Sequence, residues 1–413
     1  MKEVLERLLL CVAFCLLSAG LSAASQDTLR LAYSVRGVVV DAASGKALES
    51  VHVSVPGRHQ ATVTNADGVF VLKSDQAIRE VECSFLGYRT RREPFTGADL
   101  RIALRRENLQ LPASSIITGN PLDIIHAAMD RRWETYGNGP ELLECFYRET
   151  LRKRNRYTYV AEAVARMYKS SFDGSVYRDN AGLEKSRVLV SQRRSDTLSV
   201  KTQGGPLMAV TFDAVKNNDV LFTKEELSQY RFEMGNPVYL GDRLQFVIHM
   251  SPAVYSPYAL YKGVLYIDRE LLTFTRIELS LDMTDPDKAA KQILVRKPLS
   301  LRFIPEEATM VMNYRLDGGR TRLEYFRSTM RFACDWRKRL FKTRYTAVNE
   351  LVVTDVRPQA KPVPRQERFR YQDCLTDKAL EFLDPDFWTD YNIIEPTESL
   401  EHAIDKLKKR VRN

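Results

Sequence analysis

The equipment of an enzyme is what this chain has least of. Its five histidines, His52, His59, His126, His249 and His402, stand singly, and no His-x-x-x-His or His-Glu-x-x-His spacing is present to hold a zinc ion. No Gly-x-Ser-x-Gly elbow occurs, so a serine hydrolase of that type is unsupported. Gly45-Lys46 lacks a glycine five positions upstream and is followed by Ala47, which removes a phosphate-binding loop. Cysteine is sparse too, six in 413 residues with no Cys-x-x-Cys pair. The sequence therefore nominates no catalytic residue, no cofactor site and no metal ligand.

Charge of one sign is also thin. A formal net charge of +9 over 413 residues is too dilute to name a partner. The densest cluster, Arg152-Lys153-Arg154-Asn155-Arg156, reads as a solvated turn or strand end rather than a nucleic-acid patch. Attraction to anionic lipid or sugar surfaces is the use it leaves open. One apolar run stands out, Leu8 to Leu21, followed by the small residues Ser22, Ala23 and Ala24. That is the pattern of a secretory signal over residues 1–24, cleaved near Ala24. The run falls short of the ~20 apolar residues of a membrane span, so the mature chain is expected to be exported with no transmembrane span. An uncleaved anchor is the alternative. Lys2 and Arg7 balance Glu3 and Glu6, so cleavage leaves the net charge unchanged. It leaves four cysteines, Cys83, Cys145, Cys334 and Cys374, whose wide spacing favours buried thiols.

The informative stretch is Val35 to Lys73. Apolar alternation in Val38-Val40, Val51-Val53-Val55 and Val69-Val71 is broken by Ser44-Gly45 and by Asn65-Ala66-Asp67-Gly68, residue types that tolerate tight and left-handed turns. A small β-sandwich follows from that pattern. Gly37-Val39-Asp41, Gly45-Leu48-Val51 and Thr64-Asn65-Asp67-Gly68-Phe70 resemble the three recurring elements of the carboxypeptidase-regulatory-like domain of Bacteroidetes-type cell-envelope proteins, with Asn65 where that family usually has aspartate. Cys83 to Tyr88 is similar to the family's later strand, and the resemblance spans about residues 33–105. It implies a seven-stranded-type sandwich with no catalytic apparatus, hence a location and a style of protein rather than a reaction.

A polar, proline-bearing connector over 106–118 then leads to a β-rich domain over 119–413. Asn120-Pro121 signals a helix start, with Ile124, Ile125, Ala128 and Met129 at helical spacing. Leu143-Cys145-Tyr147 and Tyr157-Tyr159-Ala161 alternate with their neighbours at period two, the mark of half-buried antiparallel strands. Thr223 to Glu226 has the spacing of a capping box. Further strands are expected at 244–250, 263–268, 273–281, 309–316, 321–332 and 341–353, with Asp317-Gly318-Gly319 forming the clearest hairpin. The predicted fold class is mainly β: the sandwich, then a larger curved antiparallel sheet or open barrel with flanking helices. A closed membrane barrel competes poorly, for the strands show no lipid-facing apolar band. A final helix from Glu398, with Leu400, Ala403, Ile404, Leu407 and Val411 on one face, should dock on the sheet.

Tyr261 to Asp268 followed by Phe274 to Glu278 resembles the strand-turn-strand unit of periplasmic lipoprotein-carrier folds, whose curved sheet covers an apolar cavity. In chain order, the helix, the Phe146-Tyr147-Arg148-Glu149 strand and the Phe387-Trp388-x-x-Tyr391-Asn392 close are similar to uncharacterised envelope proteins. Neither resemblance implies an activity. Asp282, Asp285 and Asp287, and the pair Asp384 and Asp386, offer calcium-type oxygens but lack the glycine and terminal glutamate of a calcium loop, and turn formation explains both. Tyr255, Tyr258, Tyr261, Tyr266 and Phe274 suit a stacking platform or, by default, cross-strand packing. His52 and His59 flank one turn and read as a solvated pair.

The expected function is that of a non-enzymatic exported envelope protein, a binding or assembly module in the periplasm or at the outer-membrane surface. Its partner is an envelope protein, glycan or lipid, not nucleic acid. One alternative is a carrier sheltering an apolar ligand under the sheet, which needs a cavity of roughly several hundred Å³. The other is an unrecognised hydrolase, which needs His249 beside a carboxylate and a hydroxyl.

Overall fold

The computed structural model describes residues 31–107, 119–137, 139–172, 174–193, 196, 202–337, 341–378 and 391–411. The expected signal segment, most of the connector, Phe387-Trp388 and the pair Asp384 and Asp386 lie outside them.

Seven short strands come first: β1 (Tyr33–Asp41), β2 (His52–Ser54), β3 (Ala61–Val63), β4 (Val69–Ser74), β5 (Glu80–Ser84), β6 (Arg91–Pro94) and β7 (Leu100–Leu104). They form two layers, β4-β1-β7 and β3-β2-β5-β6, antiparallel apart from the β1–β7 pair. Val39, Val51, Val53, Phe70, Leu72 and Ile102 are fully buried between them. The turn residues act as their chemistry dictates. Asn65 Oδ1 accepts from the backbone N–H of Asp67 at 3.0 Å and Val69 at 2.9 Å, and Gly68 has a positive φ of 74° where a Cβ would strike the Val39 carbonyl. Asp41 closes the module by accepting from the Tyr88 hydroxyl at 2.7 Å and the Arg106 guanidinium at 2.9 Å.

The second part begins with α1 (Pro121–Asp130), whose start is capped by Asn120 Oδ1 accepting from Leu122 N at 3.1 Å, and a short α2 (Arg132–Thr135). Strands β8 (Glu141–Lys153), β9 (Arg156–Lys169) and β10 (Asn180–Val190) follow. Next come α3 (Leu207–Thr211), α4 (Lys224–Leu227), β11 (Tyr230–Met234), β12 (Val238–Leu240), β13 (Arg243–Pro252), β14 (Tyr261–Asp268) and β15 (Phe274–Leu281). Then come α5 (Pro286–Ile293), β16 (Leu301–Asp317), β17 (Arg320–Trp336), β18 (Thr343–Pro358), β19 (Arg368–Phe369), α6 (Leu375–Lys378) and α7 (Glu398–Val411). Twelve of these strands make one antiparallel sheet in the order β11-β13-β14-β15-β16-β17-β18-β8-β9-β10-β19, with β12 beside β13. Its two ends do not pair, so the sheet is open. Gly318 and Gly319, at φ 57° and 80°, make the β16–β17 hairpin.

One carboxylate shows how strongly this sheet bends. Strands β9 and β16 are four spacings apart, about 19 Å along a flat sheet. Asp213 nonetheless bonds Lys169 at the end of β9 and the Tyr314 hydroxyl of β16. The concavity is filled by the chain itself: Ile125 and Ala128 of α1, with Leu207, Val210, Val215 and Leu221, join the core of the inner face.

Period two predicts half-buried strands at β8 and β9, and here the structure corrects the expectation, for both strands are buried on both faces along most of their length. Inward, Cys145 and Tyr147 join the main core. Outward, Phe146 and Val164 pack with Tyr325 and Val352 against Val63 of the sandwich and Tyr391, Ile393 and Ile394 of a C-terminal strap. Farther along, Leu400, Ile404 and Leu407 of α7 lie on Val160 and Leu189. The strap is tied to both parts: it accepts from Thr62 Oγ1 at 2.8 Å through Ile393 O and from Arg148 at 2.7 Å through Ile394 O. Cys83, Cys145, Cys334 and Cys374 are buried thiols.

Candidate functional site

Two of the places where charged groups converge among the described residues bear on function. The first is inside the concavity. Lys216 donates to Asp179 Oδ1 at 2.7 Å and to the Ser170 carbonyl at 2.6 Å, while Asp213 is shared between Lys169 and Tyr314. Burial holds the Lys216 ammonium below its usual range, whereas for Lys169 burial is outweighed by Asp213 and Asp179 and its proton is held more tightly. Farther along β8, where Glu149 pairs with Ala161 rather than beside the Glu141–Lys169 pair, burial lifts the Glu149 carboxyl to about 7, against hydrogen bonds from the Tyr147 and Tyr159 hydroxyls that favour its ionised form. Such a set looks catalytic by composition. Access decides otherwise: the space beside Lys169, Ser170 and Phe172 is about 10 Å³, room for one water at most. The cluster cross-links three stretches of chain.

The second place is the end of the sheet where β8 turns into β9. Arg154, with φ 55°, and Asn155 make that turn, as the basic run over 152–156 predicted. Sequence alone did not show that α7 lies alongside it. Between them is a cavity of about 530 Å³ whose wall includes Arg152, Arg156, Arg193 and Lys406. His402, Tyr157 and Leu407 also border it, and among the described residues no carboxylate does. Asp196 accepts from Arg156 at 2.6 Å and from Lys153 at 3.2 Å, fixing the turn, and the Arg152 guanidinium lies 5.7 Å from the centre of the Tyr157 ring. Arg156 is already paired with Asp196, and Arg152, Arg193 and Lys406 leave the described wall net positive. The available signal was the pairing of a basic turn with an amphipathic helix rich in lysine, 250 positions apart and joined only by the fold.

The remaining candidates disperse. His52 and His59 are not a solvated pair: His52 is buried against Glu324 of β17, and His59 Nδ1 lies 2.6 Å from Asp317 of β16, so both fasten the sandwich to the sheet. A β-bulge at Glu324 allows this, because Asn313 pairs with Tyr325 and Tyr314 with Leu323, leaving Glu324 to turn outward. His249 is exposed on β13, opposite Glu233 and Val264, and His126 is exposed on α1. Asp285 caps α5 and Asp282 accepts from Thr284, the turn chemistry expected of them. The five aromatics also part: Phe274 is buried in the core, while Tyr255 is exposed with Lys288 Nζ 3.9 Å from its ring centre.

Residues 35–113 match the family model of the CarboxypepD_reg-like domain. The chain carries a CarboxypepD_reg-like domain over these residues. Asp41, Asn65 and Gly68, which close turns within the matched span, have visible structural tasks. No curated protein matches the chain significantly. Among solved structures, a domain named for outer membrane lipoprotein sorting from Vibrio parahaemolyticus is 15% identical, with 60% of this chain and 96% of that chain covered at a TM-score of 0.26. A DUF1329 family protein from Desulfovibrio piger is 7% identical, with 59% and 96% covered at 0.25. MucB in complex with MucA(peri) is 11% identical, with 59% and 100% covered at 0.17. Superposition and identity are too low for these three to say what this chain binds. No helix among the described residues is long and apolar enough to cross a membrane.

Proposed function

We propose that this chain, which carries a CarboxypepD_reg-like domain, is an exported, non-enzymatic binding module of the cell envelope. In this reading residues 1–24 are a cleaved signal, and the front sandwich over 33–105 and the β-rich part over 119–413 are separate units joined by a connector. The observation that carries the reading is the contrast between the two charged places. The inner cluster is sealed, while the groove between the β8–β9 turn and α7 is built of cations and open to a ligand. It receives an anionic group of an envelope partner. The carrier alternative is less supported, because α1 and residues 207–227 occupy the inner face on which an apolar ligand would lie. The hydrolase alternative lacks the meeting of groups it needs, since His249 stands exposed at the cross-strand positions of Glu233 and Val264.

Titration calorimetry on the full chain with an oligoglutamate peptide, and separately with inorganic phosphate, tests the groove. Binding to at least one probe is expected, and R152E/K406E should weaken it by about tenfold. Equal affinity in the variant, or no binding to either probe, counts against the assignment.

A further inference from the structure

The groove accounts for only part of its end of the sheet. Leu301 pairs with Trp336 and Cys334 with Thr343, so the segment before β16 and the segment entering β18 emerge side by side. The β8–β9 turn emerges there too, since Lys153 pairs with Tyr345 and Arg154 N donates to Arg344 O at 3.0 Å. On the first two segments stand Leu299, 97% exposed, Val295, 79%, and Phe341, 76%. Single exposed apolar side chains are ordinary, but three on adjoining loops at one end of a molecule are not. A second groove, of about 860 Å³, runs beside them. Lys291, Arg296, Arg302 and Arg337 are on its wall, against two carboxylates, Asp287 and Asp335. Lys297 also reaches this wall but spends its ammonium on the Leu301 carbonyl at 2.8 Å.

Protruding apolar tips ringed by cations meet the two requirements of an interfacial anchor: apolar area that leaves water for the acyl boundary, and positive charge against lipid phosphates. We infer that this end of the sheet docks on an anionic bilayer surface, with Val295, Leu299 and Phe341 entering the headgroup layer and the flanking guanidinium and ammonium groups meeting phosphates. The tips sit on two loops, Val295 and Leu299 on one and Phe341 on the other, which suits a fluid surface better than a single shaped protein face. The docking stands apart from anion capture in the groove beside α7, and one experiment separates them.

The full chain is sedimented with vesicles of phosphatidylcholine alone and of equal parts phosphatidylcholine and phosphatidylglycerol. Binding is expected to the mixed vesicles only. L299D/F341D and R296E/R337E should each reduce the bound fraction by about tenfold or more, and R152E/K406E by less than about threefold. All five positions other than Arg152 are exposed, so melting and circular dichroism should match wild type. Absence of binding to mixed vesicles overturns the inference. So does full binding by both tip and charge variants, or loss confined to R152E/K406E.

Discussion

Tyr159 donates its hydroxyl to Glu149 Oε2 at 2.9 Å across the inner face of neighbouring strands, and Tyr147 donates to the other carboxylate oxygen at 2.8 Å. Among the described residues this carboxylate takes its side-chain hydrogen bonds from these two hydroxyls and from no cation, and burial lifts the carboxyl to about 7. The folded chain therefore retains a proton that the unfolded chain releases. Stability falls as pH rises from the ordinary carboxylate value through about 7 and is level above it. Denaturant titrations at about pH 4 and about pH 8 should show E149Q gaining about 3 kcal/mol on wild type between the two. A constant difference would mean that Glu149 titrates normally.

Lys216 and Asp179 are both fully buried, with the ammonium on Asp179 Oδ1, and Asp179 Oδ2 has no partner among the described residues. Removing one member strands the other charge. K216M should cost about 3–5 kcal/mol in chemical denaturation, while K216M/D179L should recover most of it, because a well-packed apolar replacement of a buried pair is close to neutral. A double variant as unstable as the single one would refute the pairing argument.

Asn392 mimics a strand partner. Its side chain accepts from Lys73 N at 2.7 Å and donates to Lys73 O at 2.9 Å, along β4, the edge of the smaller sandwich sheet. N392A leaves both backbone groups of a buried contact unsatisfied and should destabilise by about 2–3 kcal/mol. Hydrogen exchange should rise at Lys73 and at residues 391–396 while the β8–β9 core stays protected; uniform exchange across the chain would sink this account.

The parts of this fold legible in the sequence are those settled within a few residues. Asn120-Pro121, Thr223 with Glu226, and Gly318-Gly319 each specify a local backbone event, and each event occurs. Asp41, Asn65 and Gly68 carried a family pattern, and each holds a turn shut. What stayed illegible depends on distance along the chain. The outward side of Phe146 and Arg148 reads as a half-exposed face until the sandwich upstream and a strap 246 positions downstream cover it. His52 looks solvent-bound until a bulge at Glu324 swings a carboxylate against it. The basic turn over 152–156 and Lys406 have no local reason to share a cavity; only the docking of α7 puts them there.

The strap has a consequence for biogenesis. Asn392 clasps Lys73 across 319 positions of sequence, so this tie forms only after every strand has been synthesised, later than the His52–Glu324 and His59–Asp317 ties. A nonsense allele ending ahead of Tyr391 would still contain every strand of both units, yet the product would lack its latch and offer quality-control proteases the apolar surface around Val63 and Phe146.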